Sequence, residues 1–229
     1  MKLFKCLVNL LFPRTCAACG NLLLEGEEIV CTTCRFLMPK THYEMNPNNP
    51  LAQNFFGQML FNAVSAEFFF SKSGKVQHLI HGLKYHHCRE NGVFLGQEIG
   101  KSLLKAPDFQ GIDFIIPIPL HPKKEKLRGY NQSHVIAEGI KEITGIPIAE
   151  HCLVRSVFTA TQTKKSREER WDNVKDIFIL ENAGKFAGKH VLLVDDVLTT
   201  GATLMSAGKA LMQVEEIKIS VVTAACAGN

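Results

Sequence analysis

The stretch VLLVDDVLTTGAT, residues 191–203, constrains the fold more than any other part of the chain. It begins as an apolar strand-like run, sets Asp195 and Asp196 side by side, and turns on Leu198-Thr199-Thr200-Gly201 into a helical pattern reaching Met212. A second apolar strand, IKISVVTA, follows. Strand, helix, strand order with strands apolar throughout implies a parallel sheet covered on both faces. Ligands of such sheets sit beyond the carboxyl ends of the strands. With the strand at 191–194, both acids stand at its mouth. Adjacent carboxylates repel each other, so the arrangement needs a compensating use. A helix amino terminus offers unpaired N–H groups and a positive dipole end that suit a phosphate. Gly201 and Ala202 let the backbone approach, and Thr199, Thr200 and Thr203 add hydroxyl donors. The acids would then accept from vicinal hydroxyls of a sugar whose 5′-phosphate the loop holds.

The remaining chain supports an α/β reading. AVSAEFFFS (63–71) has strand composition, and Val76, Leu79, Ile80 and Leu83 keep helical spacing. A second helix turns Val93, Leu95, Ile99, Leu103 and Leu104 inward, and IDFIIPIPL (112–120) reads as a buried strand ending at two prolines. Asn131 caps a helix that closes on Gly145. IAEHCLVR and DIFIL are further strands, separated by SVFTATQTKKSREERWDN, a charged stretch without period that reads as a long loop.

With 46% hydrophobic and 21% charged residues, the composition is that of an ordinary globular protein. The net charge of +4 favours acidic ligands such as phosphates without arguing for nucleic acid. No apolar run approaches the roughly 20 residues of a membrane span. MKLFKCLVNLLFP has a short apolar core interrupted by Asn9 and reads as an amphipathic starter segment of a cytoplasmic protein.

Of eight cysteines, Cys16, Cys19, Cys31 and Cys34 form two CxxC steps eleven residues apart; Cys6, Cys88, Cys152 and Cys226 are scattered. The paired spacing is that of a structural zinc ribbon, four thiolates closing a tetrahedral Zn²⁺ site. A redox CxxC pair and four unliganded thiols are the rival readings. The expected organisation is a four-cysteine zinc ribbon over 1–45, a linker over 46–62 and an α/β domain over 63–229. His78, His81, His86, His87 and Cys88 invite a second metal site, but no acid joins them at ligand spacing, and they read as helix-surface and core residues.

Residues 191–203 resemble the phosphoribosyl pyrophosphate (PRPP) signature of type I phosphoribosyltransferases. Together with PIPLHPKKEKLRGYNQ, the Gln, Arg and Asn of TQTKKSREERWDN, and the four-cysteine amino end, the whole chain resembles the competence protein F (ComF/GntX) family. That resemblance implies a phosphoribosyltransferase-like domain with an amino-terminal zinc ribbon and a link to DNA uptake, or to growth on external DNA or gluconate. It implies PRPP with Mg²⁺ as ligand, Asp195 and Asp196 at the ribose, and residues 199–203 at the 5′-phosphate. Lys123, Lys124, Lys126 and Arg128 fill the pyrophosphate region by the same resemblance; taken alone they read as a solvated basic loop. Lys164, Arg167 and Arg170 fall in the hood that covers PRPP, with Gln162 and Asn173 at family positions and Trp171 as a packing anchor. Lys84 is a candidate pyrophosphate contact from the same or a neighbouring subunit. Purine salvage enzymes of the hypoxanthine type carry an Asp in the phosphate loop where this chain has Thr199, which cannot act as a base near pH 7. Two readings stay open: an enzyme transferring phosphoribose, and a PRPP- or nucleotide-sensing protein whose ribbon docks a DNA-uptake protein or single-stranded DNA. A homo-oligomer is compatible with both.

Overall fold

The computed structural model describes residues 13–156 and 177–227. In chain order the elements are α1 (Thr32–Leu37), α2 (Pro50–Gln53), β1 (Ala63–Phe70), α3 (Lys75–Tyr85), α4 (Arg89–Leu103), β2 (Phe114–Pro117), α5 (Pro122–Arg128), α6 (Gln132–Thr144), β3 (Leu153–Ser156), β4 (Ile177–Leu180), β5 (His190–Leu198), α7 (Ala202–Leu211) and β6 (Lys218–Ala227). Four strands form a parallel sheet in the order β1-β6-β5-β2, and β3 pairs antiparallel with β4 as a separate ribbon.

The period-2 alternation of a strand explains why β5 is apolar throughout. Leu192 and Val194 pack with Leu79, Leu83, Leu95, Ile136 and Ile140 on the face covered by α3, α4 and α6. Val191 and Leu193 pack with Leu204, Ala207, Leu211 and Phe178 on the face covered by α7 and β4. Each such buried side chain contributes about 1.5–3 kcal/mol. Helices α4 and α6 cross with their backbones nearly touching. A Cβ at Gly96 would lie 2.0 Å from the Ile136 carbonyl oxygen, and one at Gly139 2.2 Å from that of Val93.

Four differences from the sequence expectation shape the site. Strand β5 continues through Leu198, so the acids lie within it, because β6 keeps pairing with it up to Leu198↔Cys226. Strand β2 is only four residues long. The basic stretch after it forms helix α5, with Pro122 in its first turn, His121 accepting from the Lys123 N–H at 3.2 Å, and Gly129 closing it in the left-handed region. Residues 46–62, expected as a linker, hold α2 and bury Leu51, Ala52, Phe55 and Met59.

The amino-terminal segment lies along the sheet. Phe69 N–H donates to the Pro39 carbonyl at 2.8 Å and Thr41 N–H to that of Glu67 at 3.0 Å, covering the free edge of β1. Lys40 bridges the buried Glu67 (2.6 Å) and Glu98 (3.5 Å), and Arg35 also pairs with Glu98.

Candidate functional site

The site opens where β2 stops and β5 does not. The last β2 pair is Pro117↔Val194, so past it β5 is paired on the β6 side alone, at Asp195↔Thr223 and Val197↔Ala225 on either side of Asp196. There a cleft of about 630 Å³ lies over the sheet's carboxyl end. Its walls come from the ends of β1 and β6 (Phe70, Ala227), from α3 (Ile80, His81, Lys84, Tyr85), from Pro119, Leu120, Lys124 and Arg128, and from Gln132 and Ser133 at the start of α6. Arg155 of β3, Thr199 and Thr203 complete it. Among the described residues, the acids on this lining are Asp195 and Asp196, facing Lys84, Lys124, Arg128 and Arg155.

The two aspartates differ in their partners. Asp195 Oδ1 accepts from Ser133 Oγ at 2.9 Å and from the Asp196 N–H at 2.8 Å. Burial pushes the Asp195 carboxyl up to about 7, and the neighbouring Asp196 charge adds to the rise. It can therefore hold or release a proton near neutrality. Asp196 is clamped by Lys84, whose Nζ lies 3.0 Å from both carboxylate oxygens. Two carboxylates on one wall also supply the hard oxygen donors that suit Mg²⁺, an ion that keeps several waters and substrate phosphates in its shell.

Residues 199–203 curl. Gly201 sits at φ 76°, a region that favours glycine, and a Cβ there would meet the Phe55 ring at 2.7 Å. Helix α7 starts immediately after, and residues 197–204 with Asp195 surround a hollow of about 30 Å³. The loop and the first aspartate thus line one concavity, with Thr199, Thr200, Gly201, Ala202 and Thr203 all on its wall.

Of the expected pyrophosphate residues, Lys124 and Arg128 line the cleft and Lys123 does not. Arg128 is fixed by Gln132 Oε1 at 2.7 Å and lies over the Tyr85 ring at 5.5 Å. Gln162, Lys164, Arg167, Arg170, Trp171 and Asn173 lie outside the described residues. Lys84 reaches Asp196. Sequence reasoning missed Ser133, Arg155, His81 and the Phe55 buttress; Ser133 reads locally as a first-turn helix residue, and no spacing signals its partner 62 positions away.

The histidines split: the His81 and His86 rings stay together, centroids 5.6 Å apart, while His78 and His87 turn to backbone carbonyls. His78 Nδ1 lies 2.9 Å from the Ala18 carbonyl, His87 Nδ1 lies 3.0 Å from that of Arg128, and His81 packs on Tyr85. The four amino-terminal cysteines converge instead, with all donor atoms within 4.8 Å of one another. Cys19 and Cys31 sulfurs are 3.9 Å apart. A tetrahedron with Zn–S of about 2.3 Å has edges near 3.8 Å, so the donors fit that ion. Burial opposes ionisation of Cys16, but N–H groups of Cys31, Ala18 and Cys19 outweigh it and hold the thiol at about 7; burial pushes the Cys34 thiol up. Cys16, Cys31 and Cys34 are buried.

A parallel sheet with an acid pair and a curled loop at its carboxyl end defines a phosphoribosyltransferase-like protein. A family model described as phosphoribosyl transferase domain matches residues 141–228, the stretch from α6 through β6. Competence protein F of Haemophilus influenzae is 37% identical over 108 residues, covering 46% of this chain and 47% of that protein. DNA utilization protein YhgH of Escherichia coli K12 is 30% identical over 138 residues, 59% and 60% of the two chains. Competence protein ComFC of Bacillus subtilis is 35% identical over 99 residues, 43% and 38%. The alignments therefore span from over a third to three-fifths of these relatives. These matches make the chain similar to competence protein F and the DNA utilization proteins over the aligned stretches. Among solved structures, the glutamine PRPP amidotransferase of B. subtilis, complexed with ADP and GMP, is similar over 60% of this chain and 26% of its own, with 22% identity and a TM-score of 0.40. Among the described residues, no helix is long and apolar enough to cross a membrane.

Proposed function

We propose that the protein binds PRPP with Mg²⁺ and transfers phosphoribose to an acceptor, in the setting of DNA uptake or utilisation suggested by the names of its relatives. One observation carries this reading: Asp195 lines both the hollow of the 199–203 loop and the basic cleft, whose wall Asp196, Thr199 and Thr203 share. Residues 199–203 hold the 5′-phosphate, Asp195 and Asp196 accept from the ribose hydroxyls, and Lys124 and Arg128 take the pyrophosphate. Mg²⁺, when bound with PRPP, neutralises the leaving pyrophosphate. Ligand entry moves Lys84 from Asp196 towards the phosphates. Breaking the C–O bond develops positive charge on the sugar, which the aspartates stabilise while the cleft wall limits water. Zn²⁺ on Cys16, Cys19, Cys31 and Cys34 is structural, within an amino-terminal unit of residues 1–45 that offers a docking face to a protein partner.

A second reading has its own observation. Among the described residues lining the cleft, no acid other than the twin aspartates is present to deprotonate an acceptor. On this reading the protein senses PRPP without turnover. Incubation of the metal-loaded full chain with Mg²⁺ and radiolabelled PRPP against a panel of nucleobases separates the two. Pyrophosphate release that depends on a base supports transfer. Binding without release favours the sensor, and neither binding nor release overturns both.

A further inference from the structure

We propose that metal occupancy of the four-cysteine knot controls the twin-aspartate cleft, and that two buried carboxylates transmit the control. This goes beyond the phosphoribosyl reading and holds for any ligand of that cleft. The carboxylates are Glu67 of β1 and Glu98 of α4, 3% and 4% exposed. A carboxylate so far from water is stable only with a cation or donors beside it. The cations that reach across to them belong to the amino-terminal segment. Lys40 Nζ lies 2.6 Å from Glu67 and 3.5 Å from Glu98, and Arg35, next in sequence to Cys34, pairs with Glu98. Among the described residues, Lys40 is the one cation paired with Glu67, whose other side-chain partner is Ser102 Oγ at 3.0 Å. Burial pushes the Glu67 carboxyl up, and the nearby Glu44 charge adds to the rise.

Both acids sit a short way from the cleft. Phe70, three residues after Glu67, ends β1 on the cleft wall and pairs with Ala227 of β6, which lines the same wall. Glu98 lies between Gly96 and Gly100, the α4 residues that leave room for the Ile136 carbonyl and for Ile143 of α6. Helices in such close contact shift together. Helix α6 begins with Gln132 and Ser133, and Ser133 Oγ donates to Asp195. Four thiolates around a metal fix Cys34, and with it the chain that carries Arg35 and Lys40. Loss of the metal releases that chain. Withdrawal of its cations leaves two charges buried in β1 and α4, and both elements must shift to hydrate them. The shift reaches Asp195 through α6 and the mouth of the sheet through Phe70.

Acylation of Lys84 by a small amine-reactive ester, read by mass spectrometry on the zinc-loaded full chain, tests this without any ligand. Lys84 is shielded by its pair with Asp196 and so reports the state of the cleft. Chelation of the metal is expected to speed its acylation about fivefold, the weight of one ion pair. Exposed Lys209 on α7 keeps its rate. In Glu67→Gln/Glu98→Gln the amides still accept from Ser102 and Lys101 but carry no charge. There chelation changes the Lys84 rate by less than about twofold. Lys40→Met, with its zinc in place, speeds Lys84 as much as chelation does in the natural chain, and Lys40→Arg does not. A chain that takes up no zinc overturns the proposal. So does a Lys84 rate that chelation leaves unchanged or raises equally in the double variant, or that zinc-loaded Lys40→Met leaves at its natural value. Failure to bind PRPP would remove the sugar-phosphate reading alone, since the label needs no ligand.

Discussion

The four-cysteine knot and the twin-aspartate cleft are built on opposite plans. The knot is local: four sulfurs within 19 consecutive residues, three of them buried, held by N–H groups of the same short segment. The cleft is assembled from a distance. Its central ion pair joins Lys84 to Asp196 across 112 positions, and Ser133 reaches Asp195 from a third element. The knot encloses its donors as a structural site does, whereas the cleft keeps its charges at an open mouth where a ligand can replace their partners. A closed site can be written into spacing; an open one depends on the sheet to bring its parts together.

That contrast predicts unequal responses to damage. The largest effect should follow loss of the metal or Cys16→Ser. If zinc occupies the knot, its removal costs on the order of 10 kcal/mol to the amino-terminal unit, read as loss of bound metal and of amide-exchange protection over residues 13–38. Because Arg35 and Lys40 tie this unit to Glu98 and Glu67, exchange along β1 should rise as well. A knot lost without any change at β1 would break the link between the two regions.

Inside the cleft, Lys84→Met should cost about 2 kcal/mol in urea melts at pH 8, since it leaves Asp196 beside Asp195 without its cation. Gly201→Ala should cost about 1–2 kcal/mol, combining the positive φ with the approach to Phe55. Gly201→Ala paired with Phe55→Leu should recover part of that loss.

The remaining effect is a pH dependence. Burial raises the folded-state carboxyl of Asp195 from 3.8 to about 7. A raised acid favours the folded state below its unfolded value and loses that advantage as pH rises through the folded value. Asp195→Asn should therefore raise Tm by a few degrees at pH 8 and leave it unchanged near pH 4. Equal shifts at both pH values would contradict a raised carboxyl at Asp195.

The same contrast explains what could be read in advance. The strands, the capped helix from Asn131 to Gly145, the cysteine quartet and the 195–203 motif were legible because each is a local pattern. The α5 helix was not, because its lysines gave no apolar period and its boundaries rest on His121, Pro122 and Gly129. Nor was the role of residues 46–62, where polar, turn-prone Asn and Pro residues mask Leu51 and Phe55, which pack with Leu198 beneath the 199–203 loop. Ser133 carried no local sign at all, since only the β5–α6 packing gives it a partner.

Titration of the full chain with PRPP in the presence of Mg²⁺, compared with the Asp195→Asn/Asp196→Asn double variant, tests the central claim most directly. The account predicts a saturable isotherm for the natural sequence that the double variant weakens at least tenfold while its fold is retained. An isotherm unaltered by the double substitution, or no heat from the natural protein, would contradict it.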